Sequence, residues 1–289
     1  ARPVGSLTIQ RTMYKILGFR TVVASARASD YAGGQGGTVA FKGTIRKPIV
    51  STPSISLKSA LHYRHIKSDA VNPVYYTPGN HSVMDLGATY EHRPTPFIRY
   101  SAGGGLMVGL GDRSFSRFHL MANVSWRYQR KLTLQLRSWL GGFVTGGDIP
   151  AHYKIWMSGG VDPNFENNFA LNRTDDGGKG PVNIYDDQFI SRGPALRGLL
   201  DKASTATAWG VNVDHSLPFV PVALFADMAG AADLRDTFVD GGLKLSLGAI
   251  VLYLPLYESW EPQNVASSFT WITSRARFEL ALPSIRIGR

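Results

Sequence analysis

The chain has 289 residues, 44% of them hydrophobic, with 31 Lys and Arg against 21 Asp and Glu and no cysteine. The missing cysteines exclude a disulfide scaffold, thiol chemistry and cysteine-ligated metal. No stretch approaches the roughly 18 consecutive apolar residues that a membrane helix needs.

Strand periodicity runs through almost the whole chain. Residues 5–14 and 19–27 are strand-like. From Thr38 the alternation is clean: Val39, Phe41 and Ile45 against Lys42, Thr44 and Arg46. Pro48 and Pro53 bracket a turn, after which Ile55, Leu57, Leu61 and Tyr63 alternate with Ser56, Lys58, His62 and Arg64. A connection over 67–81 leads to Met84, Leu86, Ala88 and Tyr90. The short turn 93–96 leads to a glycine-dotted strand over 97–110.

Residues 117–140 carry the clearest signal. Phe118, Leu120, Ala122, Val124, Trp126 and Tyr128 share one parity, and Arg117, His119, Asn123, Ser125, Arg127 and Gln129 the other. After a turn near Arg130, Leu132, Leu134, Leu136 and Leu140 oppose Lys131, Thr133, Gln135 and Arg137. Successive strand side chains point to opposite faces, so this is a hairpin with one apolar and one polar face. The apolar face ends in aromatics and the polar face is rich in arginine, as in a barrel with lipid outside and water inside. A soluble β-sandwich or lipocalin-like barrel alternates too, but its apolar side would form the core.

A short strand is expected at 152–158, followed by the longest irregular segment, 159–194, with Asp175-Asp176 and Asp186-Asp187. Alternation returns over 209–217, 222–228, 239–247, 250–256 and 272–282. Short turns alternate with long connections, as in outer-membrane barrels. The pattern predicts an all-β fold: one antiparallel transmembrane β-barrel of about 12–14 strands, filling residues 1–289 as a single domain. The 159–194 loop folds into or over the lumen.

The net charge of +10 falls mainly on strand positions of one parity rather than on a patch, which speaks against nucleic acid. The candidate lumen cations are Arg117, Arg127, Lys131, Arg137 and Arg277. The mean hydropathy of -0.08 suits a chain whose apolar residues occupy alternate positions. The chain opens Ala1-Arg2-Pro3 without a charged-then-apolar leader, as a mature chain or one cut from a longer protein would.

Site chemistry is sparse. His62 and His65 fall on opposite strand faces and cannot chelate together. Neither a zinc-peptidase H-E-x-x-H nor a G-x-S-x-G nucleophile elbow occurs. Outer-membrane phospholipases place a histidine and a serine two apart on one face, whereas His215-Ser216 and His81-Ser82 are adjacent. The acidic loop pairs could hold calcium, though Asp–Gly loops more often make turns. No catalytic residue, metal or cofactor is assigned.

The C-terminal third carries a more specific pattern. Ala195-Leu196-Arg197-Gly198-Leu199 ends the long loop. A strand with Asn212 and Leu217-Pro218-Phe219 follows, then Phe225-Ala226-Asp227-Met228-Ala229-Gly230, then Asp240-Gly241-Gly242-Leu243-Lys244. This resembles the BamA-type superfamily of outer-membrane barrels, and the similar barrels attached to envelope peptidases and patatin-like lipases. The resemblance covers roughly residues 190–282. It implies a loop folded back into the lumen, its tip arginine Arg197 and turn glycine Gly198 facing the wall aspartate Asp227. Leu199 stands where that family has an aromatic, and Ala229-Gly230 shift its glycine by one place.

These readings imply a bacterial outer-membrane barrel, not an enzyme, acting as a translocation or anchoring module for a soluble or periplasmic protein partner, with lipid or lipopolysaccharide around it. The alternative is a passive anion-preferring pore. A membrane-embedded lipid hydrolase is the least favoured option.

Overall fold

The computed structural model describes residues 5–31, 34–45, 53–66, 77–111, 113–129, 132–157, 193–198, 202–218, 220–247, 250–260 and 276–280. Their strands are β1 (Gly5–Ile16), β2 (Phe19–Tyr31), β3 (Gly34–Thr44), β4 (Ser54–Ile66), β5 (Gly79–Thr95), β6 (Ile98–Leu110), β7 (Phe115–Gln129) and β8 (Leu132–Gly146). Two short strands, β9 (Ile155–Trp156) and β10 (Ala203–Ser204), precede β11 (Ala208–Ser216), β12 (Val222–Ala231), β13 (Phe238–Leu247), β14 (Ile250–Glu258) and β15 (Arg277–Leu280).

Thirteen of these form one sheet in chain order, β1 to β8 and then β11 to β15. Each strand runs antiparallel to its neighbours. Consecutive pairing of this kind is what short connections and period-two alternation favour. The short strand expected at 152–158 resolves differently. Ala151–Tyr153 make a single 3-10 turn, and β9 pairs with β10 outside the main sheet. Pro150 starts that turn, and the expected alternation is too brief to compete with packing against the wall.

The two faces of the sheet are inverted relative to a water-soluble protein. On β12, Leu224 and Met228 are 47% and 40% exposed, while Phe225 and Asp227 between them are 4% and 2% exposed. The same holds for β7, where Leu120, Val124, Trp126 and Tyr128 are exposed and Arg117 is buried. Leu57, Leu61, Tyr63, Leu86, Leu136 and Leu140 extend the bare apolar face across the sheet. Soluble monomers rarely expose contiguous apolar patches beyond a few hundred Å². The sandwich alternative, which needs these residues at its centre, does not fit.

The other face, here the inner one, is not uniformly polar. Trp139, which shares the parity of Arg137, packs with Ile155, Met157, Leu196, Ala208, Ala229 and Phe238. Val83, Phe115 and Tyr153 form a second apolar cluster. Both sit under chain that arrives from the long connection between β8 and β11, so the inner wall turns apolar where that chain covers it.

Candidate functional site

The site is the place where residues 193–198 settle on the inner wall. β11 admits them at Gly210, where an added Cβ would lie 2.6 Å from the Pro194 Cβ and 2.8 Å from its carbonyl oxygen. Ala195 adopts φ 63°, a left-handed conformation unfavourable for a residue with a Cβ. This turn directs the Leu196 N–H to the Met157 carbonyl at 2.8 Å and its side chain into the apolar cluster around Trp139.

Arg197 follows, with no exposed surface. Its Nε donates to Asp227 Oδ2 at 2.8 Å and its Nη2 to Asp227 Oδ1 at 2.5 Å. Its backbone N–H reaches the same carboxylate at 2.9 Å. Nη1 donates to Asp214 Oδ1, and Nη2 also to the Val213 carbonyl at 3.2 Å. The guanidinium carbon stands 4.4 Å from the centre of the Phe225 ring and 5.6 Å from that of Tyr253. Burial opposes the charge, but Asp227 and then Asp214 outweigh it and hold Arg197 protonated, its pKa raised.

Register builds the surroundings. Arg137, Asn212, Asp227, Asp240 and Glu258 stand opposite one another on successive strands β8, β11, β12, β13 and β14. All share the inner parity. Asn212 Nδ2 donates to Asp227 Oδ1 at 3.0 Å and to the Ala195 carbonyl at 2.9 Å. Arg137 donates to Asn212 Oδ1 at 2.7 Å and to the Pro194 and Gly193 carbonyls at 3.1 and 2.8 Å. Lys244 donates to Asp214 Oδ2 at 2.8 Å. The Gly198 N–H donates to Asp240 Oδ2, and a Cβ on Gly198 would lie 2.6 Å from that oxygen and 3.0 Å from Glu258 Oε1. Only a residue without a side chain fits there.

A second anchorage lies on β5 to β7. Arg117 Nη1 donates to the Tyr153 and Lys154 carbonyls at 2.9 and 3.4 Å. The His81 and His152 rings meet edge to face with centroids 4.6 Å apart. Burial, with the nearby positive charge of Arg64, pushes the His152 pKa well below its ordinary 6.5. Asp233, in the β12–β13 connection, accepts from Ser204 Oγ at 2.5 Å and the Thr205 N–H at 2.9 Å. Desolvation opposes its charge, but these hydrogen bonds prevail and lower its pKa.

The structure brings Arg197, Gly198 and Asp227 together. Of the expected lumen cations, Arg117 and Arg137 instead turn to backbone carbonyls of the folded-back chain. Arg127 is exposed beside the β7–β8 turn. Lys131, the Arg277 side chain, the acidic pairs at 175–176 and 186–187 and nearly all of 159–194 lie outside the described residues. Sequence reasoning missed Asp214, Lys244 and Gly210 as site residues. The first two share the inner parity of Asn212 and Asp227, which was the available signal. Among the described residues no group of three His, Asp or Glu is arranged to hold a metal ion.

No known protein family matches the sequence, and no curated protein does. Solved structures match the chain at low identity. A BamA of Haemophilus ducreyi lacking POTRA domains 1-3 is 12% identical, with a TM-score of 0.48, over 94% of this chain and 61% of its own. The NanC porin is 6% identical, with a TM-score of 0.32, over 84% of this chain and 93% of its own. The copper transporter OprC is 12% identical, with a TM-score of 0.27, over 86% of this chain and 42% of its own. This chain therefore spans less than two thirds of the length of that BamA chain.

Proposed function

We propose that this chain is an outer-membrane β-barrel that serves as a translocation or anchoring module for a soluble partner, with the β8–β11 connection closing its interior. The inverted sheet supports the membrane part of the reading. A broad apolar face of leucines and aromatics belongs against hydrocarbon, and the sheet's strands other than the four-residue β15, at 9–17 residues, meet the roughly 9–11 residues that a spanning strand requires.

The observation that carries the functional part is the burial of Arg197 between Asp227 and Asp214. A buried cation fixed by a bidentate carboxylate and a second acid is costly to pull out. It suits a loop seated on the wall rather than one waving above an open channel. Arg117 and Arg137, bound to carbonyls of the same connection, hold it at two further points. Neither lines a free conduit, which weighs against the passive anion-preferring pore.

Planar-bilayer conductance of the reconstituted chain tests the reading. Silence or brief flickering is expected, with steady current appearing in Arg197→Ala. A steady anion-selective current in the parent would favour the pore and overturn the closed-module reading. Incubation with phospholipid micelles and calcium tests the hydrolase option, and no released fatty acid is expected.

A further inference from the structure

The ends of the sheet differ sharply in charge. Antiparallel order places the connections 17–18, 45–53, 96–97, 130–131, 217–221 and 248–249 at one end. The longer connections, including 67–78, 147–207 and 259–276, lie at the other. At the short-turn end, Lys15 and Arg20 flank the first turn, Lys42 lies near the second, Arg93 sits before the third and Arg127 beside the fourth. All five are exposed.

Acids are scarce there. Within three residues of those connections the sequence offers only Asp214, which Arg197 and Lys244 already engage. Glu91 stands slightly deeper and pairs with Arg99 at 2.7 Å. The opposite end mixes signs, with Asp148 beside Arg113 and Asp233 and Asp236 around Arg235.

The cations are interleaved with exposed apolar side chains. Leu17, at the tip of the first turn, is 90% exposed, and Phe97, Val220 and Leu247 are more than half exposed or close to it at three other turns. On the outer face just above them, Trp126 and Tyr128 lie with ring centroids 5.3 Å apart, and the Tyr128 hydroxyl meets His215 Nε2 at 2.5 Å. Apolar tips between cations, below a Trp–Tyr pair, match the boundary where acyl chains give way to phosphate. Nucleic acid would use the charge but leave the aliphatic tips in water.

We infer that the short-turn rim is a docking surface for an anionic leaflet, in which Lys15, Arg20, Arg93 and Arg127 engage the phosphates of acidic glycerophospholipids while Leu17 and Phe97 enter the acyl boundary. The inference rests on the membrane reading above. It adds a headgroup preference at the short-turn end of the sheet.

The test uses the full chain in phosphatidylcholine vesicles doped with spin-labelled phosphatidylglycerol or spin-labelled phosphatidylcholine. The expected result is a motionally restricted population several-fold richer in the phosphatidylglycerol probe. That preference should shrink at high salt and in the triple variant Lys15→Glu, Arg20→Glu, Arg93→Glu, whose heat-modifiable gel mobility stays that of the parent. Equal restriction of both probes in the parent overturns the inference, as does a preference that survives the triple variant. Retention of poly-glutamate by the parent without any phosphatidylglycerol preference would assign the rim to an acidic protein and equally overturn it. Failure of the chain to float with vesicles would remove the membrane reading itself, and the inference with it.

Discussion

Arg197 and Asp227 are joined by four hydrogen bonds: Nε to both Oδ1 and Oδ2, Nη2 to Oδ1 and the Arg197 backbone N–H to Oδ2. The contact therefore fixes the path of the chain as well as the direction of a side chain. Lysine could supply the charge but neither the fork nor its planarity.

Asp227→Asn keeps the shape and removes the charge, leaving Arg197 with Asp214 alone. Breaking one side of a buried pair costs about 3–5 kcal/mol, and water reaching the inner face would reduce that figure. The expected outcome is a lower temperature for the heat-modifiable gel shift. Asp214→Asn should do less, because Asp214 receives a single Arg197 donor. An Asp227→Asn protein that shifts at the parental temperature would remove the pair's structural weight.

Gly210→Ala tests the seat from the wall side. The new methyl would meet the Pro194 backbone, which cannot rotate away as a side-chain end can. Residues 193–198 should lift, made visible as faster proteolysis of the β8–β11 connection with the sheet's circular dichroism unchanged. Ala195→Gly should have the opposite sign, relieving a left-handed strain of about 1 kcal/mol.

Trp139 and Leu140 are neighbours with opposite surroundings. Trp139 is buried in the inner apolar cluster and Leu140 is exposed on the outer face. Trp139→Ala should cost about 3–5 kcal/mol, whereas Leu140→Ala, which loses hydrocarbon contact but leaves no cavity in fluid lipid, should cost about 2 kcal/mol. Unfolding by urea from vesicles measures both, and equal costs would contradict the assignment of faces.

His152 gives a pH dependence with a defined sign. Its folded-state pKa lies well below 6.5, so the folded state binds fewer protons than the unfolded one near that value. Its contribution is fully present above pH 6.5 and is lost progressively as the pH falls below it. Acid should loosen the 3-10 turn at Ala151–Tyr153, read as protease access near Lys154. His152→Phe should flatten that response.

Most of the fold is legible because strand alternation is a local property. Leu120, Val124 and Trp126 announce their face without reference to any distant residue. What was not legible depended on contact. Trp139 occupies a polar-parity position, and only the folded-back chain explains an indole there. Likewise Arg117 and Arg137 read as cations facing water until backbone carbonyls, which leave no trace in sequence, are seen to receive them. Asp227 was visible through its motif. Asp214 became visible only once register placed it beside the same guanidinium.

The small β9–β10 ladder sets a limit on what residues 158–192 need to contribute. Trp156 pairs with Ala203 and Ile155 with Ser204, while the Met157 N–H donates to the Lys202 carbonyl at 2.9 Å. Residues 155–157 and 202–204 are thus stapled to each other. Lengthening a tether whose ends are already clamped changes closure entropy only slowly. The sequence between them is accordingly where epitope tags, shortened versions or grafted peptides can be placed with that ladder kept.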